Sequence, residues 1–505
     1  MKEKTILFRS IVFLLAVFLS VACFTSCGKT GNTETKSGTD TESDTTANTA
    51  ETQDTNLDEN GFVKSSLPAG LNLDKDVSIL YWSDYYDSLY CGDDYEPGEL
   101  VSDASHARDI YTEEYLNVFL KWVPTLGGGY ANAANFLQAV TTQAASGGST
   151  QLIAGYSRCM TTLAIQGLLY DVNTLEKSYI DLEKPWWTYE MASQLQLGNS
   201  SFLYAGDISG DLLTSMIAVF YNMDMIDTLR LDDPSELVQE KQWTYEKMLT
   251  MAANAYYDGN NNGLVDDSDR IGLGFVEWST TAFYVGFGYR IIQNFDGYLS
   301  LSSDYSGNPA IDFVEKAMAL LTDTGVAKIG GGTMMNSFSR GEMLFMTYEL
   351  RTIMNDIIRN SNIHYGVLPT PMINTEQERY YTYPGLNYTI WGILGAISPE
   401  EATEMTAVLE CMGGKAYREL TPAIFEYGFK LRYSEDETVS NMYQLVRDSL
   451  AFDFGFLCAR NVMNDQDLAY QMSNSAWGGI SWSTTFAEVK SLITSGIKAI
   501  NQKFE

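Results

Sequence analysis

The chain has 505 residues, too many for one ordinary core, so two or more domains are expected. Acidic residues outnumber basic ones by 65 to 32, for a net charge of −33, which leaves no overall basic footprint for a nucleic acid. Only two histidines are present, His106 and His364, which argues against histidine-rich metal catalysis, and aromatic residues reach 13%, including 32 Tyr and 9 Trp.

Residues 1–27 read as an export address. Lys2, Lys4 and Arg9 make a positive start, and Ile11 to Phe24 is an apolar run of 14 residues, shorter than a membrane span of ~20. It ends in Phe24-Thr25-Ser26-Cys27, which resembles a bacterial lipobox; that resemblance implies lipidation of Cys27 and a firm membrane anchor. Residues 28–74 follow as a disordered tether, and their first 33 residues are almost devoid of apolar side chains, with a reach of ~30 Å. The remaining cysteines, Cys91, Cys159, Cys411 and Cys458, form no CxxC pair and predict no zinc site.

The body then alternates strand and helix patterns. A strand is predicted over Val77–Trp82, a helix over Ala107–Tyr115 and a strand over Asn117–Val123. A helix over Ala131–Ala145 and a strand over Gln151–Ala154 come next. This order implies parallel β-α-β units, and ligands of such sheets sit beyond the C-terminal strand ends. Trp82, Tyr85, Tyr156 and Arg158 stand at those ends.

Residues 258–269 carry oxygen side chains at the spacing of a twelve-residue calcium loop. Asp258, Asn260, Asn262, Asp266 and Asp269 occupy positions one, three, five, nine and twelve, Gly263 the sharp turn, and Leu264 would contribute its carbonyl. Asp269 replaces the usual Glu, as in dockerin-type loops, which this segment resembles. A structural Ca²⁺ is expected, an Asn/Gly-rich turn without metal being the alternative. Arg270–Phe275 follows as a strand and Phe486–Gln502 as a C-terminal helix.

Five ordered segments carry a wider resemblance: Leu163–Val172 (LAIQGLLYDV); Lys184–Trp187 with Gly206-Asp207 and Val219–Asn222; Trp243–Met248; Phe338–Met346; and Tyr365–Pro369. The series resembles the extracellular solute-binding proteins of bacterial ABC importers, in the maltose-binding, sugar-binding lipoprotein group. The resemblance implies an α/β, periplasmic-binding-protein-like fold of two discontinuous lobes, 75–206 plus 368–435 and 215–366 plus 440–505, around a hinge and an interlobe cleft. It puts the crossings at 206–221, 365–369 and 430–445. It implies a monomer that is no enzyme, anchored by lipid outside the bacterial cytoplasmic membrane, passing a carbohydrate, an oligosaccharide, to ABC permease subunits. It also adds Asp207, Trp278, Trp477 and Trp482 to the expected ligand contacts, because aromatic faces cover sugar rings while polar groups pair with hydroxyls. Trp122, Trp186, Trp187 and Trp243 are assigned to packing and Trp391 to a buried strand. A secreted carbohydrate-active enzyme and a surface glycan-capture lipoprotein are the competing readings.

Overall fold

The computed structural model describes residues 56–505 apart from 59–61, 86–88, 94, 148, 267, 324, 329, 426–436 and 464–466. The export signal, Cys27 and the tether up to residue 55 lie outside the described residues. Two sheets organise the body. The first has the order β11-β3-β1-β2, with β1 at Lys75–Trp82, β2 at Val118–Thr125, β3 at Thr150–Tyr156 and β11 at Thr389–Ile393. The first three run parallel, and β11 joins β3 antiparallel. From Val77 to Trp82 every residue of β1 is buried, because helices cover both faces of a parallel sheet. One of these, Leu100–Leu116, stops at Asn117, whose left-handed φ of 51° turns the chain straight into β2.

The second sheet has the order β10-β4-β9-β5-β8. Its strands are β4 at Ile217–Asn222, β5 at Ile271–Phe275, β8 at Val326–Lys328, β9 at Met343–Glu349 and β10 at Tyr365–Leu368. A separate hairpin pairs β6 at Ile292–Phe295 with β7 at Tyr298–Leu301. The molecule is thus two α/β lobes, each built on one sheet.

Three passages connect the lobes side by side. Ile217 N–H donates to Tyr383 O at 3.0 Å, and the Ser215 hydroxyl donates to Pro384 O at 2.7 Å. Thr382 in turn bridges Leu450. The second passage therefore falls at 382–384 rather than 365–369, because Tyr365–Leu368 is spent as the edge strand β10. The third falls at Leu450, beyond the expected 430–445.

Two further expectations change. Residues 62–74 lie on the first lobe instead of in a tether. Phe62 packs edge-on against Tyr417 with ring centres 6.0 Å apart, Leu67 is buried, and Val63 O accepts from Arg418 at 2.8 Å. The C-terminal helix begins at Trp482, not Phe486, because Ser481 caps it by accepting from Thr484 N–H. Near it, the short helices Phe454–Leu457 and Ala459–Met463 pack on Ser157–Gln166 of the first lobe, whereas Leu468–Trp477 packs on Asn308–Leu320 of the second.

Arg108 ties the first lobe to the first passage. Its side chain is 0% exposed and donates to Tyr90 O at 2.6 Å, to Ile208 O at 2.8 Å and to the Asp109 carboxylate at 2.6 Å. Burial raises the Asp109 carboxyl, and Arg108 opposes that rise. Removing one member of a buried pair leaves the other charge uncompensated, so Arg108→Ala is expected to cost about 3–5 kcal/mol, read by denaturant unfolding.

Candidate functional site

The C-terminal ends of β1 and β3 in the first lobe and of β5 and β9 in the second border one cleft of about 390 Å³. From the first lobe come Tyr85, Tyr156 and Arg158; from the second, Trp278, Tyr348 and Glu349. Tyr383 and Asn387 reach it from the second passage, and Asp467 and Tyr470 from the start of the helix Leu468–Trp477.

Behind the first-lobe wall stands Trp82, fully buried. Its indole lies nearly parallel to Tyr90, 6.3 Å away at 14°, and to Tyr85, 5.5 Å away at 23°, and it meets Tyr156 at 5.4 Å. Its Nε1–H donates to Thr389 Oγ1 at 2.7 Å, and that hydroxyl donates to Asp211 Oδ2 at 2.7 Å. Trp82 therefore supports the wall and is not itself a contact surface. Asp84 positions the loop carrying Tyr85 by accepting from Gly127 N–H at 2.9 Å and Gly128 N–H at 2.8 Å.

The polar groups are paired. Arg158 donates to Asp467 and, through Nε, to Phe456 O at 3.0 Å. Asp467 also caps its own helix, accepting from Ala469 N–H at 2.9 Å. Arg351 Nε sits 2.8 Å from Glu349 Oε2, and the guanidinium lies 5.2 Å over the Tyr85 ring. Asn387 donates to the Tyr85 hydroxyl at 3.2 Å. On the opposite wall Trp278, 40% exposed, tilts against Tyr348 at 5.3 Å.

Of the residues expected from sequence, Tyr85, Tyr156, Arg158 and Trp278 come together here. Four others do not line the cleft. Trp82 is covered as described. Asp207 is buried against Arg447 at 2.7 Å and lines a second cavity of about 350 Å³ beside the passages. Trp477 ends a helix and stacks on Phe275 at 5.9 Å. Trp482, drawn into the C-terminal helix, donates to Tyr305 O at 2.8 Å and is buried. Tyr348 and Glu349 were missed although the strand-end rule, applied to β9, points to them. Tyr383, Asn387 and Asp467 have no local signal, since the passages alone bring them in.

In the loop 258–269 the expected ligand side chains turn onto the loop's own N–H groups. Asp258 Oδ2 accepts from Gly263 at 2.8 Å, Asn262 Oδ1 from Leu264 at 2.7 Å and Asp269 Oδ1 from Gly259 at 3.0 Å. Asp266 accepts from the Asn262 amide at 2.7 Å and the Asn260 amide at 3.0 Å. Hydrogen bonds from Ser268, then from Asn260 and Asn262, hold the Asp266 carboxyl well below the usual range. The donors are hard oxygens of the kind Ca²⁺ takes. Among the described residues, however, no three carboxylate, imidazole or thiol groups gather around one point.

With this geometry in place, the family can be stated. Residues 98–404 match the model of the family "Bacterial extracellular solute-binding protein". The chain belongs to that family. Its fold is shared by a cyclo/maltodextrin-binding protein solved with maltotetraose, at 13% identity and TM-score 0.55, covering 86% of this chain and 99% of that one. UspC of M. tuberculosis is similar at 15% identity and TM-score 0.52, covering 83% and 100%. The maltose-binding protein MalE of Listeria monocytogenes, solved with maltose, is similar at 11% identity and TM-score 0.52, covering 84% and 98%. No curated protein matches the sequence. Among the described residues no helix is long and apolar enough to cross a membrane.

Behind the cleft, burial pushes the Asp211 carboxyl up from 3.8 to about 7, against the hydrogen bond from Thr389. The folded state thus holds a proton that the unfolded chain has released above pH 4. That contribution is complete below the unfolded value and is lost as pH rises through about 7. Between pH 4 and 8 the wild type is therefore expected to lose more stability than Asp211→Asn, as measured by thermal melts across pH.

Proposed function

We propose that the protein is the lipid-anchored extracellular binding component of an ABC importer, capturing an oligosaccharide between its lobes and delivering it to the permease. One observation carries the reading. Four aromatic side chains, Tyr85 and Tyr156 from the first lobe and Trp278 and Tyr348 from the second, line one cleft beside hydrogen-bonding side chains. Such a cleft suits a ring with flat C–H faces and a rim of hydroxyls. The maltotetraose and maltose in the similar structures support the same class of ligand. A ligand that touches both walls favours the closed arrangement of the lobes, and the hydrogen-bonded passages allow closure about one hinge. Binding without chemistry is the function expected, so incubation with glycans should return them uncut. The lipobox-like Cys27 would hold the body at the outer face of the membrane.

Trp278→Ala removes an exposed ring that supports no core. It is expected to weaken oligosaccharide binding about tenfold, or ~1.4 kcal/mol, while leaving the melting temperature nearly unchanged. Isothermal titration against a panel of mono- and oligosaccharides checks this. An unchanged affinity for a bound sugar would remove Trp278 from the site, and no binding to any saccharide would remove the carbohydrate reading.

We also propose that the loop 258–269 takes a structural Ca²⁺ through Asp258, Asn260, Asn262, Asp266, Asp269 and the Leu264 carbonyl. The ion would supply a fixed positive charge among acidic side chains and so stabilise the second lobe. At about a hundred times Kd such an ion adds ~2.7 kcal/mol. Melts in Ca²⁺ and in chelator should differ accordingly, and coincident curves would show a loop that works without metal.

A further inference from the structure

Among the described residues, every charged side chain lining the cleft has an opposite partner. Arg158, Glu349 and Asp467 line it, and Arg351 stands 2.8 Å from Glu349. The pairs are Arg158 with Asp467, 7% and 16% exposed, and Arg351 with Glu349, 7% and 11% exposed. Among the described lining residues there is no lysine or histidine. In sequence, residues 86–88 (Tyr-Asp-Ser) directly after Tyr85 and 464–466 (Asn-Asp-Gln) directly before Asp467 contain no basic residue. The formal charge of the four groups is therefore zero, and each guanidinium stands at ion-pair distance from a carboxylate; Nε and Nη1 of Arg351 make no hydrogen bond but are buried.

We propose that Glu349 and Asp467 are specificity-determining residues: by occupying Arg351 and Arg158 they fit the cleft to an uncharged saccharide and exclude an acidic one such as a uronic acid. The inference rests on the carbohydrate reading above and sharpens it. A hydroxyl donates and accepts, so a neutral sugar can pair with either member of an arginine–carboxylate couple. A sugar carboxylate only accepts. It would meet Glu349 and Asp467 at desolvated range, with both guanidiniums already facing a carboxylate, the arrangement that rejects a wrong partner. The net charge of −33 adds a long-range bias in the same direction.

The test uses the whole exported chain and a matched pair of ligands. A neutral oligosaccharide of about two to four rings that binds is compared with the same molecule oxidised at its terminal primary alcohol to the uronate. Titration calorimetry is expected to find the uronate at least ~tenfold weaker, with the gap narrowing as salt is raised. Glu349→Gln and Asp467→Asn each release one guanidinium and should shrink the neutral-to-uronate ratio by about threefold or more. Two separate variants guard against one failing to fold. Uronate binding as tight as that of the neutral parent overturns the proposal, as does a ratio unmoved in both variants, and either result leaves the carbohydrate reading intact. Failure of every neutral and acidic saccharide to bind overturns both.

Discussion

The cleft depends on one buried indole. Trp82 closes β1; Tyr90 and Tyr85 stack with its indole, and Thr389 accepts from its single N–H. Thr389 begins β11, and its own partner Asp211 sits in the helix Gly210–Ser215 of the first passage. The contact thus joins the end of the first strand, the last strand of the same sheet and the hinge. The aromatic wall of Tyr85 and Tyr156 rests on it. A large ring with one polar atom suits this place, since it fills space and still leaves no buried donor unpaired.

The opposite wall is held by different physics. Glu349 and Asp467 each face a guanidinium at ion-pair distance in a largely dry setting, and Asp467 doubles as a helix cap. Burial raises the Glu349 carboxyl, with Arg351 opposing it. Arg351 also covers the Tyr85 ring, and Arg158 pairs with Asp467 at the start of the helix packed on the second lobe, so both arginines connect the lobes. Buried ion pairs of this kind add little net stability but strongly fix geometry, because either partner alone is costly. Here they hold the distance between two aromatic walls.

The acidity and the aromatic excess, both visible from composition, end in separate places. Many of the tyrosines and tryptophans are core: Trp186, Trp243 and Trp391 are fully buried. A smaller set at the strand ends forms the cleft. Most of the negative charge falls after residue 60, on the folded body, where it keeps the surface solvated.

Local pattern determined much of the framework. The strand–helix alternation of residues 75–156, the buried strand around Trp391, and the positions of Tyr85, Tyr156 and Arg158 follow from periodicity and the strand-end rule. Those features are short-range, so the chain carries them wherever it lies. Tertiary structure decided the rest. It alone shows that Trp82 and Trp482 face inward, that Asp207 serves an ion pair with Arg447 outside the cleft, and that Tyr383, Asn387 and Asp467 arrive by way of the passages. Those outcomes depend on which segments meet across hundreds of residues, and a Trp or Asp reads the same in sequence whether a neighbour covers it or leaves it open.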